Sequence, residues 1–215
     1  MRDTDMKLTD YRVTDLLAAF RSPEPTPGGG SASALAGAVG ASLLAMVAGL
    51  PKPRAATAED VTHLEAAGGR SAALSSRLSS LIDRDSEAYD RVVAAFRLPK
   101  GTDREQAARA AAIQEGLRDA TETPLEVMRA CSEALEQGAV VAAFGNRHAS
   151  SDVQVGLELL GAGLRGARLN VDVNLGRIKD PAFVAAAAGE AERLAAEVET
   201  GIAAARARLS DAGIL

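Results

Sequence analysis

Tryptophan is absent from this 215-residue chain, and aromatic residues make up only 3% of it. A core without bulky rings must be filled by Ala, Leu and Val, which suits close-packed helices better than a sandwich of β-branched strands. Cysteine is almost missing too. Cys131 stands alone, which excludes an intramolecular disulfide and fits a reducing cytoplasm; the residue reads as a small buried hydrophobe. No basic run interleaved with aromatics occurs, and the net charge is −5 with a pI of about 5.2, so nucleic acid is not an expected partner. The two histidines, His63 and His148, are isolated, and no His/Cys/Asp cluster has metal-ligand spacing, so no metal site is expected. Walker loop, nucleophile elbow and dinucleotide fingerprint are all lacking. The N-terminus, Met1-Arg-Asp-Thr-Asp5, is polar and acidic and does not resemble a signal peptide.

What is present is small and apolar. Hydrophobic residues reach 47%, enough for a sizeable core, but Ala-rich helices bury little area each, so oligomerisation is expected to complete it. The most informative stretch is Pro25-Thr-Pro-Gly-Gly-Gly-Ser31, followed by a helix of Ala, Gly, Ser, Leu and Val. Three consecutive glycines leave backbone N–H groups uncovered at a helix start, where partial positive charge favours a carboxylate, a phosphate or a polar ring edge. Ser33, Gly37, Ala41 and Ala45 recur every fourth position, so one face admits another helix backbone very closely. Residues 32–50 are uncharged and long enough for a membrane span. Ala, Gly and Ser insert poorly, however, and the small face suits a helix buried in a bundle, so no span is expected.

The pattern is helical throughout. Thr9 to Arg21 predicts a short amphipathic helix, ended by Pro23, Pro25 and Pro27. Pro51 and Pro53 stop the small-residue helix. A long helix is expected from Ala58 to about Leu98, with Gly68-Gly69 as a possible kink. Thr102 caps the next, with Glu105 in capping-box register. That helix is expected to reach Thr123, with Pro124 opening or kinking another to Phe144. Ser151 to Leu175 and Pro181 to Asp211 complete the set. Val171 and Val173 alternate too briefly to make a strand. The expectation is one all-α domain over residues 1–215: an up-and-down-type helical bundle with one long central helix, dimerising.

Two polar features interrupt the apolar pattern. Leu64, Ala67, Ser71, Leu74, Leu78, Leu81, Asp85, Ala88, Val92 and Ala95 keep heptad spacing, and Asp85 occupies a seam position that wants an apolar residue. It is either a structural residue, solvated or paired with Arg84 or Arg91, or a buried carboxylate fit for acid–base work near neutral pH. Farther on, Asp152, Gly156, Gly163, Gly166, Asn170 and Asn174 fall within about 80° of one another on a helix. The glycines make sense if a ligand or a helix approaches there. Asp152 is equally suited to capping its helix, and the asparagines to helix-to-helix hydrogen bonds. His148, in the loop before Ser151, reads as solvent-exposed.

Taken together, these segments resemble the cyclodeaminase domain of formiminotransferase-cyclodeaminase and the related bacterial methenyltetrahydrofolate cyclohydrolases. The likeness starts at Pro25–Ser31 and the helix ending Met46-Val-Ala48. It continues through Asp85-x-x-Ala88-Tyr89, Ala94-Ala-Phe-Arg-Leu-Pro-Lys100, Arg109-Ala-Ala-Ala-Ile-Gln-Glu115 and Ala120-Thr-x-x-Pro124-Leu125. Gly145-Asn146, Ser151-Asp152-Val153 and the run from Leu164 to Leu175 close it. The chain departs from the family at Leu50-Pro-Lys-Pro-Arg-Ala-Ala-Thr57, where a Leu-Thr-x-Gly-Lys-Lys-x-Tyr-like segment is usual. Lys52 and Arg54 keep positive charge there, and Gln154 fills a place usually held by glycine.

The resemblance implies a cytoplasmic homodimer with a folate site, and no cofactor or metal beyond tetrahydrofolate as substrate carrier. It implies either cyclisation of 5-formimino-tetrahydrofolate with ammonia release, or hydrolysis of 5,10-methenyl-tetrahydrofolate. Asp85 would be the acid–base group. Gly28, Gly29, Gly30 and Ser31 would cradle the folate, and Asn146, Asp152, Asn170 and Asn174 would bind its polar edges. Lys100 would meet the glutamate tail. The alternative is a diverged, non-catalytic member that binds a small anionic ligand or a protein partner.

Overall fold

Prolines, glycines and caps set the helix boundaries in the computed structural model, which describes residues 6–52 and 56–211. The N-terminal five residues, Pro53 and Arg54 lie outside the described residues. A 3-10 turn at Leu8–Asp10 leads to α1 (Val13–Phe20), α2 (Gly29–Gly49), α3 (Ala58–Phe96) and α4 (Asp103–Phe144). A second 3-10 turn at Arg147–Ala149 precedes α5 (Ser150–Leu175), and α6 (Pro181–Asp211) ends the fold. Among the described residues there is no strand.

Two capping boxes start the longest helices. Thr57 and Asp60 exchange hydrogen bonds at the start of α3, and Thr102 and Glu105 do the same at α4, satisfying amides that no helical carbonyl reaches. The α3–α4 connection is short, so the two helices pair antiparallel, stitched by Arg77 and Arg84 to Glu126 and by Arg91 to Asp119. The helix at the centre is α4, which packs on α2, α3, α5 and α6. Ala and Leu dominate the core, with Leu44, Leu64, Leu78, Leu125, Leu157, Leu160 and Leu164 fully buried.

Helix α2 runs antiparallel to both α3 and α5 and lies between them. Its contact with α5 is a glycine crossing. A Cβ on Gly40 would lie 2.7 Å from the Gly156 carbonyl, and one on Gly163 would lie 2.8 Å from the Ser33 carbonyl. A Cβ on Gly166 would strike the Ser33 hydroxyl. A Cβ on Gly156 would lie 3.1 Å from the Gly40 carbonyl, so of the two readings of the α5 glycines, helix approach accounts for Gly156, Gly163 and Gly166. Helix α2 has the length and mean hydropathy (1.8) of a membrane span, but half of that window is buried inside the bundle.

Two expectations need correction. The segment from Thr9 to Arg21 is not one helix. Tyr11 and Arg12 are extended, and Asp83 of α3 accepts from the Leu8 amide at 2.5 Å and the Thr9 hydroxyl at 2.8 Å. The first turn is thereby tied to the bundle while α1 buries none of its residues. Helix α3 runs continuously through Gly68-Gly69, and Gly68 lets Ala48 approach, since a Cβ there would sit 2.8 Å from that methyl. Pro124 does not start a new helix: α4 passes through it unbroken. Proline has no N–H for the carbonyl four residues earlier, at Ala120. The side-chain amide of Asn174 replaces it, donating to Ala120 O at 2.7 Å.

Candidate functional site

The antiparallel arrangement brings the start of α2, the last third of α3, the first half of α4 and the end of α5 to one end of the bundle. A pocket of about 290 Å³ opens there. Gly28, Gly29, Gly30, Asp85, Asn170 and Asn174 line it, together with Pro25, Thr26, Tyr89, Val92, Leu117, Ala120, Val173 and Arg177. Six of the residues singled out in the sequence thus share one cavity, although they lie as far as 146 positions apart.

Gly28 is the N-cap of α2, and the Ala32 amide already bonds to the Gly28 carbonyl at 3.0 Å. The amides of Gly29 and Gly30 are therefore first-turn donors without a helical partner, at the positive end of the helix dipole. The third such amide, on Ser31, donates to Asp85 Oδ2 at 2.8 Å. Asp85 thus caps α2 from across the helix pair. Gly30 is obligatory, because an added Cβ would fall 2.0 Å from Asp85 Oδ1.

The Ser31 hydroxyl sits 3.0 Å from Asp85 Oδ2 and 2.8 Å from the Ile82 carbonyl, which accepts its hydrogen. One hydroxyl hydrogen serves two acceptors. The Ile82 carbonyl and Asp85 Oδ2 compete for that hydrogen, while the Ser31 amide holds Oδ2 whichever takes it. Burial pushes the Asp85 carboxyl above its ordinary value of 3.8, and the two Ser31 hydrogen bonds pull it down by less. The second carboxyl oxygen, Oδ1, has no hydrogen-bond partner among the described residues.

Asn170 and Asn174 line the same pocket from α5. Asn170 Nδ2 donates to Gly166 O at 3.0 Å, and a Cβ on Gly29 would lie 3.6 Å from that nitrogen. With both side-chain NH₂ groups engaged by carbonyls, each asparagine has an acceptor oxygen available to the pocket. Ser31 itself is fully buried behind the pocket wall.

Three sequence-derived site residues lie elsewhere. Lys100 is exposed in the α3–α4 turn and does not line the pocket. Asn146 caps the second 3-10 turn, accepting from the His148 amide at 3.0 Å and donating to Pro51 O at 3.1 Å. Asp152 sits in the first turn of α5, about 33 Å along the helix from Asn174. Lys52 donates to Ala48 O at 2.5 Å and so caps the far end of α2, while Gln154 is half-buried near the start of α5. The described start of the segment that departs from the family pattern, Leu50 to Lys52, is therefore at the opposite end of α2 from the pocket. His148 is exposed.

Sequence reasoning missed Tyr89 and Arg177 as pocket residues. Tyr89 was within reach of helical spacing, since it follows Asp85 by four residues and shares its face, whereas Arg177 lies in the turn beyond α5, where no helical spacing points to it.

The fold and site define a class of protein: an all-helical bundle whose small-molecule pocket joins a desolvated carboxylate to a helix N-terminus. A sequence profile described as formiminotransferase-cyclodeaminase matches residues 12–193, and the chain belongs to that family. It is 42% identical over 185 residues to a methenyltetrahydrofolate cyclohydrolase of Methylorubrum extorquens, covering 86% of this chain and 89% of that one. It is 33% identical over 183 residues to the mouse formimidoyltransferase-cyclodeaminase, covering 83% of this chain but only 33% of the longer mouse enzyme. The solved structure of a formiminotetrahydrofolate cyclodeaminase from Thermotoga maritima has the same fold, with a TM-score of 0.84 at 22% identity over 95% of this chain and 98% of that one.

Proposed function

We propose that this protein is a folate one-carbon enzyme acting at the carbon between nitrogens 5 and 10 of tetrahydrofolate, and that hydrolysis of 5,10-methenyl-tetrahydrofolate is its reaction. The observation that carries the reading is the half-buried Asp85 carboxylate in the pocket wall, with one oxygen, Oδ2, held by Ser31 and the other, Oδ1, without a hydrogen-bond partner among the described residues. Support for the hydrolase comes from the Methylorubrum relative, matched at 42% identity over nearly its full length. The cyclodeaminase reaction is the second reading, favoured by the match to the mouse enzyme.

Hydrolysis needs a base and then an acid at one place. Water adds to the electrophilic methenyl carbon while Asp85 takes one of its protons. The tetrahedral adduct collapses when Asp85 returns that proton to nitrogen 5 and the carbon–nitrogen bond breaks. The remaining hydroxyl proton leaves to solvent as the formyl carbonyl forms, giving 10-formyl-tetrahydrofolate. A carboxyl raised by burial serves both steps better than an ordinary one, because its two protonation states are closer in energy near neutral pH. Ser31 holds Oδ2 through its amide and hydroxyl, which leaves Oδ1 to exchange the proton. The Gly29 and Gly30 amides and the acceptor oxygens of Asn170 and Asn174 orient the polar edges of the pterin. The cyclodeaminase reaction would use the same carboxyl to move a proton onto the departing ammonia.

We further propose a homodimer that functions in the cytoplasm. Helix α1 buries none of its residues, with Val13 73% and Leu17 53% exposed, and α5 presents Val155, Leu169 and Val173 outward. Apolar faces of this kind favour a second copy.

The test is spectroscopic. Purified protein supplied with 5,10-methenyl-tetrahydrofolate should abolish its near-ultraviolet absorbance above the spontaneous rate, and with 5-formimino-tetrahydrofolate should leave that absorbance undeveloped. The opposite pattern would select the cyclodeaminase. No acceleration with either substrate would leave a diverged binding protein as the correct account.

A further inference from the structure

Arg177, in the pocket wall, is a cation that no acid among the described residues neutralises. The Arg177 guanidinium lies 5.6 Å from the centroid of the Phe96 ring. Arg109 lies 5.5 Å from the same ring and ties down the Phe96 carbonyl, with Nε and Nη2 donating at 3.3 and 3.1 Å. Gln114 brackets the turn that carries Arg177 from both sides. Its Nε2 donates to Arg177 O at 3.2 Å, and its Oε1 accepts from the Lys179 amide at 2.8 Å. Nearby Arg118 is engaged by Asp180 at 2.5 Å. Among the described residues, neither Arg109 nor Arg177 has a carboxylate within ion-pair distance. A guanidinium seated on an aromatic face, on a turn clamped at two atoms, is pre-organised and retains its hydrogen-bonding edge.

The pocket volume, about 290 Å³, is at the lower end for small-molecule sites. A bicyclic ring system and the reacting carbon would fill a space of that size, and the rest of a folate would then extend out of it. Arg177 lines the pocket from the turn that follows α5, three residues after Asn174.

We propose that Arg177 binds a carboxylate of the ligand's glutamate chain, with Phe96 and Gln114 as its positioning residues; this rests on the folate reading above. Arg177 lines the pocket where the exposed Lys100 does not, and so takes the role that sequence reasoning gave to that lysine. Arginine suits it, because its planar fork meets a carboxylate through two parallel hydrogen bonds.

Titration calorimetry with 5-formyl-tetrahydrofolate and with 5-formyl-tetrahydropteroate, which lacks the glutamate, tests the assignment. The unmodified protein should prefer the glutamate-bearing ligand. Arg177→Ala should weaken that ligand by about 10–100-fold, the size expected for a charged hydrogen bond, and leave the pteroate unchanged. Arg177→Lys should recover part of the loss. In turnover, KM should rise while kcat stays constant. Gln114→Ala should shift the same ligand in the same direction by a smaller factor. Equal weakening of both ligands by Arg177→Ala, no weakening of either, or no preference in the unmodified protein would overturn the role of Arg177 and leave the folate reading standing. Failure of the unmodified protein to bind either ligand would overturn the folate reading, and this assignment with it.

Discussion

Asp85 is held by opposing forces, and their balance makes it useful. Two donors on Ser31 and the positive end of α2 favour its charged form, while loss of water favours the neutral one and prevails. Its folded-state pKa is therefore above 3.8, and the folded state binds the proton more tightly than the unfolded chain. The consequence for stability has a definite sign: ionising Asp85 in the folded protein is a cost, absent below the unfolded pKa and fully developed above the folded one. Asp85→Asn removes that cost. The variant should be at least as resistant to thermal unfolding as the parent at pH 8, with its relative advantage shrinking as pH falls toward 4. Its kcat should nevertheless drop by about 10²–10⁴-fold, the usual contribution of a general acid–base group, with KM little changed. A variant that lost stability at pH 8 would show that the carboxylate is mainly a cap for α2.

The helices show why small residues carry so much of this architecture. Helices α2 and α5 cross through facing glycines, Gly40 on one and Gly156 on the other, each close to the carbonyl of its partner. Gly40→Ala must displace the Gly156 carbonyl and Leu160, a strain of about 1–3 kcal/mol that exceeds the roughly 0.5–1 kcal/mol gained in helix propensity. Gly69 of α3 is the internal comparison: a Cβ there meets nothing within 4 Å. Gly69→Ala should therefore stabilise by roughly 0.5–1 kcal/mol in chemical denaturation, while Gly40→Ala should destabilise. Pro124 teaches a related lesson about α4. The carbonyl it orphans at Ala120 is what Asn174 binds, so a helix-breaking residue on one helix orients a pocket residue on another.

For the molecule as a whole, the outstanding feature is apolar surface. Val155, Leu169 and Val173 fall along one outward face of α5, with exposures of 51%, 67% and 70%. If a second copy covers them, light scattering should give twice the chain mass. Leu169→Glu should then shift the protein toward monomer without loss of helical circular dichroism, because Leu169 contributes nothing to the core of its own chain. A parent protein that is monomeric at micromolar concentration would refute the dimer.

Much of this protein is written in local chemistry. Thr57, Thr102, Pro51 and the run of alanines specify where most helices begin, end and turn a buried face, because caps, missing amides and side-chain periodicity act within one or two turns. Asp85 was conspicuous for the same reason: a carboxylate on an apolar seam is a local contradiction. The continuity of α4 through Pro124 was not legible, since it depends on an amide from 50 residues away. The gathering of Gly30, Asp85 and Asn170 into one pocket, and the exclusion of Lys100, Asn146 and Asp152 from it, also required the tertiary structure. Spacing along a helix says which residues share a face. Only the antiparallel packing of α2, α3 and α5 decides which ends of those faces meet, because that is set by the complementarity of whole surfaces.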